Sequence, residues 1–159
     1  MIKYKKICKT LEDTQKLAQI FSKIIEKDGV FICLYGEIGA GKTAFVKKLA
    51  EALGVTERVT SPSFVILNEY HSAKLPLYHF DLYRLENVGI STIEDELREY
   101  TTGKKITLVE WAEFDSGALP FDRIEINVTY DDDDTRCYEF SHTGNTYKWI
   151  IEELNNANA

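Results

Sequence analysis

At 159 residues, 44% of them hydrophobic and 28% charged, the chain has the balance of one globular domain that buries its own core without a disulfide or metal staple. A formal net charge of −7, with lysines and arginines scattered rather than gathered in a stripe, disfavours direct, strong binding to a nucleic-acid backbone, so a role involving RNA would need a partner to hold the RNA. The longest apolar run, Val30 to Tyr35, falls far short of the ~20 residues that cross a bilayer, no secretory leader follows Met1, and Cys8, Cys33 and Cys137 suit neither a disulfide framework nor a zinc site; a reduced, cytoplasmic protein is expected.

Ile2 to Cys8 alternates in the manner of a short strand, and Thr10 is then placed to cap a helix reaching about Lys27, with Leu17, Ile20, Phe21, Ile24 and Ile25 on one face. Asp28-Gly29 ends it. Val30 to Tyr35 has the unbroken apolar, β-favouring composition of a strand buried on both faces, as a parallel sheet requires, and it leads straight into Gly36. A second helix follows from Thr43, with Phe45, Val46, Leu49, Ala50 and Leu53 at helical spacing and Gly54 as its stop. Phe64 to Tyr70 and Leu75 to Phe80, separated by His71-Ser72-Ala73-Lys74, predict a hairpin.

Further on, Ser91 and Glu94 make a capping box for a helix toward Tyr100, and Ile106 to Val109 predicts a buried strand ending at Glu110. Ile124, Ile126, Val128 and Tyr130 alternate, Asp131 to Asp134 supplies a turn, and Arg136 to Ser141 returns as the other half of a second hairpin. A helix from about Thr146, with Tyr147, Ile150, Ile151 and Leu154 on one face, completes the order. With no repeat and no linker, the expected architecture is α/β: a single-domain P-loop NTPase over residues 1–159, with a mixed central sheet flanked by helices.

Gly36-Glu37-Ile38-Gly39-Ala40-Gly41-Lys42-Thr43 matches the phosphate-binding loop pattern in full, between a buried strand and a helix as that pattern demands. The glycines let backbone N–H groups turn inward around phosphates, since a Cβ would block both the positive φ values and the close approach, and the helix start adds its positive dipole end. Lys42 offers a mobile point charge to the β and γ phosphates of ATP or GTP, while the Thr43 hydroxyl is a hard oxygen ligand for Mg2+.

Such a loop needs a carboxylate to position magnesium and water, and two end apolar strands: Asp81 after Leu77-Tyr78-His79-Phe80 and Glu110 after Ile106-Thr107-Leu108-Val109. Glu110 follows the more fully apolar run and is preferred for magnesium; Asp81 is assigned the attacking water or an outer-shell role. Other residues carry two readings each. Thr60-Ser61-Pro62-Ser63 is either a γ-phosphate-sensing segment or a turn, and Thr10, with Asp13 and Thr14 behind it, caps a helix or lies at the nucleotide's edge. His79 is a core histidine or a proton carrier, and Asp131 to Asp134 is a solvated turn or a metal loop.

Gly36 to Thr43, Thr60-Ser61-Pro62-Ser63-Phe64, His79-Phe80-Asp81-Leu82-Tyr83-Arg84-Leu85 and Val109-Glu110-Trp111-Ala112-Glu113, in that order and spacing, resemble the TsaE family, once known as YjeE. Ser63 stands where that family more often has threonine, and keeps the hydroxyl. The resemblance implies a small bacterial ATPase required for N6-threonylcarbamoyladenosine at position 37 of tRNAs that read codons beginning with A. It implies ATP/ADP and Mg2+ as cofactors, and TsaB and TsaD as partner proteins, with hydrolysis resetting the complex. It further implies that Thr43 and Glu110 bind magnesium, that Asp81 and Trp111 matter for turnover, and that Thr10 and Thr14 lie at the adenosine side.

Three rival classes share the loop. A small-molecule kinase usually brings an arginine-rich lid, against which the five scattered arginines argue, and a nucleotide-gated binding module would not hydrolyse at all. A GTPase would want an Asn-Lys-x-Asp segment, which the chain lacks.

Overall fold

The computed structural model describes residues 2–36, 42–57, 59, 67–81, 103–110, 119–130 and 135–157. The helix expected from Ser91 and the turn at Asp131 to Asp134 lie outside them, as do the first residues of the strand expected from Phe64.

Within the described residues the chain runs β1 (Lys3–Cys8), α1 (Leu11–Ile25), β2 (Val30–Tyr35), α2 (Lys42–Leu53), β3 (Leu67–Tyr70), β4 (Leu77–Asp81), β5 (Ile106–Glu110), β6 (Arg123–Tyr130), β7 (Arg136–Thr143) and α3 (Lys148–Asn156). The strands make one mixed sheet in the order β1-β7-β6-β2-β5-β4-β3, so the architecture is α/β with a mixed central sheet. β2 takes the middle position, parallel to β5 on one side and to β6 on the other. β4 continues the parallel set beyond β5, with Asp81 paired to Glu110. Both expected hairpins form: β3 with β4, and β6 with β7, while β1 closes the far edge antiparallel to β7.

The even apolar composition of β2 follows from its place. Val30, Ile32 and Leu34 point into the larger core, shared with α1, α2 and α3, and Phe31 and Cys33 point into a second core with Phe80, Val109 and Leu119 on the opposite face. Cys33 is thus a buried thiol in a strand, as its surroundings in the sequence suggest. On the helix side, Phe21 of α1, Phe45 of α2 and Phe140 of β7 meet beside Tyr138, with Phe21–Phe140 and Phe45–Tyr138 ring centroids 5.1 and 5.2 Å apart. Each buried ring removes enough apolar surface to stabilise the fold by about 1.5–3 kcal/mol.

Helix ends are set by local chemistry. Thr10 caps α1: its hydroxyl accepts the N–H of Asp13 at 3.1 Å, and the Asp13 carboxylate reaches back to accept the N–H of Lys9 at 3.0 Å. α1 stops at Ile25, two residues short of the expected Lys27, because Glu26 is its C-cap and the chain turns there, the N–H of Gly29 donating to the Ile25 carbonyl. α2 ends as expected at Gly54, whose φ of 99° turns the chain so that the N–H of Val55 reaches the Ala50 carbonyl and that of Gly54 reaches Glu51. α3 begins at Lys148 rather than Thr146, since Thr146 and Tyr147 form a turn and Tyr147 caps the helix without a side-chain bond.

Candidate nucleotide-binding site

β2, β4, β5 and β6 are parallel, so their carboxyl ends share one edge of the sheet, the edge at which open α/β sheets bind ligands. β1 points the same way through two antiparallel pairings, which brings Thr10 to that edge as well. Gly36 leaves β2 there with φ 154°, a value that favours glycine, and a Cβ added to it would sit 2.7 Å from the Val128 carbonyl oxygen. The same hypothetical Cβ would lie 3.5 Å from Cδ of Lys42, so the aliphatic stem of the lysine folds back over Gly36 toward the strand end. Lys42 opens α2 and is buried, with only 5% of its surface exposed.

Across from this junction, Glu110 ends β5 and Asp81 ends β4, in register and on the face of the sheet that α1 and α2 cover. Glu110 pairs with Leu34 on its other side, one residue before the end of β2. The carboxylates expected from two separate apolar runs are therefore neighbours at one strand edge, beside the start of α2. Glu110 is buried, at 3% exposure, and its Oε2 lies 2.5 Å from Nε2 of His79, itself at 1%. A charged side chain removed this far from water needs a partner, and the imidazole supplies one. Of its two readings His79 takes that of a core histidine, here bonded to the carboxylate preferred for magnesium. The signal was in the sequence, for residues 79 and 81 of a strand share a face, but the pairing of β4 with β5 was needed to find the partner.

Thr14 is fully buried, its hydroxyl donating to the Thr10 carbonyl at 3.4 Å and lying against the Cys8 thiol. Burial pushes the Cys8 thiol above its usual range, as it does the Tyr35 phenol at the end of β2. Thr43 lies in the first turn of α2, next to Lys42. Glu37, Ile38, Gly39, Ala40, Gly41, Trp111 and the Thr60 to Ser63 segment lie outside the described residues.

Oxygen donors on this edge, a carboxylate pair and a hydroxyl at a helix start, are hard ligands of the kind Mg2+ takes, and one or two carboxylates suffice when phosphates complete its shell. A buried strand, a glycine turn and a lysine folded back from the helix that follows are how P-loop nucleotide-binding proteins hold phosphates, and this chain is built as one of that class. Residues 8–138 match the family model described as "Threonylcarbamoyl adenosine biosynthesis protein TsaE", and the chain belongs to the TsaE family.

Its relatives agree. The chain is 42% identical to the tRNA threonylcarbamoyladenosine biosynthesis protein TsaE of Bacillus subtilis, over 90% of this chain and 88% of that one. It is 34% identical to the protein of the same description from Haemophilus influenzae, over 89% of each. The crystal structure of Bacillus subtilis YdiB superposes with a TM-score of 0.83 at 36% identity, covering 99% of this chain and 97% of YdiB. No helix among the described residues is long and apolar enough to cross a membrane.

Proposed function

We propose that the chain is the ATP-binding and hydrolysing subunit of the machinery that makes N6-threonylcarbamoyladenosine in tRNA, working in the cytoplasm with TsaB and TsaD and meeting tRNA only through that complex. The reading takes residues 1–159 as one P-loop ATPase domain. The observation that carries it is the placement of Glu110 and Asp81 side by side at the strand edge where Gly36 turns toward Lys42. Family membership gives the pathway, and the net charge of −7 suits a subunit that does not grip RNA itself.

In this reading the backbone N–H groups from Glu37 to Gly41 cradle the phosphates, Lys42 balances charge on the β and γ groups, and Thr10 and Thr14 lie toward the adenosine. Thr43 and Glu110 would hold Mg2+, which when bound neutralises charge on the β- and γ-phosphate oxygens. Asp81 orients the attacking water, and Trp111, next to Glu110, serves turnover. Water attacks the γ phosphorus as the bond to the bridging oxygen breaks, giving ADP and phosphate; since phosphoryl transfer asks mostly for positioning and charge, rigid carboxylates on paired strands suit it.

Phosphate release, measured with and without the two partner proteins, tests this. Slow turnover alone and acceleration in the complex is the expected outcome. Vigorous solo turnover, or none in the full complex, would overturn it, and transfer of phosphate to a metabolite would establish a kinase instead.

A further inference from the structure

His79 and Glu110 make a buried polar contact near the carboxyl edge of the sheet, at 1% and 3% exposure. Two positions earlier on β4 than Asp81, His79 reaches diagonally across to the next strand, and its Nε2 stands 2.5 Å from Glu110 Oε2. Among the described residues this is the only hydrogen bond to that carboxylate, and Nδ1 of the same ring is buried without a hydrogen-bond partner. A buried N–H left unbonded is costly whereas a bare lone pair is less so, which puts the ring proton on Nε2, donated to Glu110.

We infer that His79 is a positioning residue for metal binding: it fixes Glu110 through Oε2 so that Oε1 is presented to the cation. The inference rests on the reading of Glu110 as the magnesium carboxylate. Its physical basis is that a ligand oxygen held in advance loses less rotational freedom on binding, and partners of this kind typically change metal affinity by about 10–100-fold when removed.

Two amide substitutions separate the hydrogen bond from mere bulk. His79→Gln places an N–H near the position of Nε2 and keeps the donor; His79→Asn places it near Nδ1, short of Glu110. With ADP bound and protein in excess, Mn2+ affinity read from the loss of the free-ion electron paramagnetic resonance signal should stay within about 3-fold for Gln and fall about 10–100-fold for Asn. ADP affinity in EDTA should be unchanged in both. Equal Mn2+ affinities in the two variants, whether high or low, overturn the inference.

Glu110→Gln is the companion measurement. If it leaves Mn2+ affinity intact, the metal reading of Glu110 fails and the role of His79 with it; if it weakens Mn2+ while the two His79 variants agree, only the inference about His79 fails. Nitrogen-15 correlation spectra of the unaltered protein test it independently of how the variants fold: the Nε2–H tautomer of His79 is expected, and the Nδ1–H tautomer would overturn it.

Discussion

The two halves of the sheet are built from different materials. On the antiparallel side, β1 presents Tyr4 and β7 presents Tyr138 and Phe140 to the helices, and Phe21 and Phe45 pack among them, with the Tyr4–Phe140 centroids 5.8 Å apart. On the parallel side, the carboxyl ends of β2, β5 and β4 enclose Lys42, His79 and Glu110, all buried. One half is close-packed ring against ring, and the other keeps polar groups out of water at the cost of desolvation. α2 joins them: Lys42 and Thr43 sit at its first turn, and Phe45, a few residues on, anchors it to Tyr138. The aromatic half therefore aims the helix start that the polar half uses.

If the division is real, the two halves can be broken separately. Phe140→Ala removes a fully buried ring in contact with Tyr4, Phe21 and Phe45, and should lower the unfolding free energy by about 3–5 kcal/mol in urea titrations. Molecules that remain folded should bind ATP as the unaltered protein does. A matching loss of affinity per folded molecule would show that packing and site are not separable.

Lys42→Ala should do the reverse. Loss of charge-assisted bonds to phosphate costs about 1.5–3 kcal/mol, on the order of 10- to 100-fold in ATP affinity by calorimetry. Stability should fall less than in Phe140→Ala, because the substitution removes an aliphatic stem packed over Gly36 rather than a ring at the centre of the core. Unchanged ATP binding would defeat the assignment of the loop.

This contrast also marks what a single sequence can tell. The run from Val30 to Tyr35, the stop at Gly54 and both hairpins were legible because each is a local pattern, fixed by composition and turn chemistry within a few neighbours. Asp81 and Glu110 were legible as strand-end carboxylates, but not as neighbours, since the register of β4 on β5 joins segments far apart in the chain. His79 was weighed on its own surroundings, apolar on both sides, and nothing near it in sequence identifies a partner 31 residues away. The early end of α1 and late start of α3 were missed for a smaller reason: cap geometry depends on turns whose side chains make no distinctive pattern.

A third site lies at the same sheet edge but belongs to neither half. The Asp13 carboxylate is held below its usual range chiefly by the Lys9 N–H that it accepts, with further help from Thr10 and Lys16. An unfolded aspartate titrates near ~3.9, so the folded value is the lower of the two. Its contribution to stability is then complete above the unfolded value and disappears as pH falls through the folded one. Asp13 is only partly covered and its bond to Lys9 faces solvent, so this effect should be the smallest of the three, and it should be confined to acid. Asp13→Asn is expected to lower the urea midpoint modestly at about pH 7 and to converge on the unaltered protein well below about pH 3.9, where the carboxylate is protonated. A difference that stays constant across that range would mean that Asp13 acts through the shape of the cap alone, and that the charge at the start of α1 adds nothing to it.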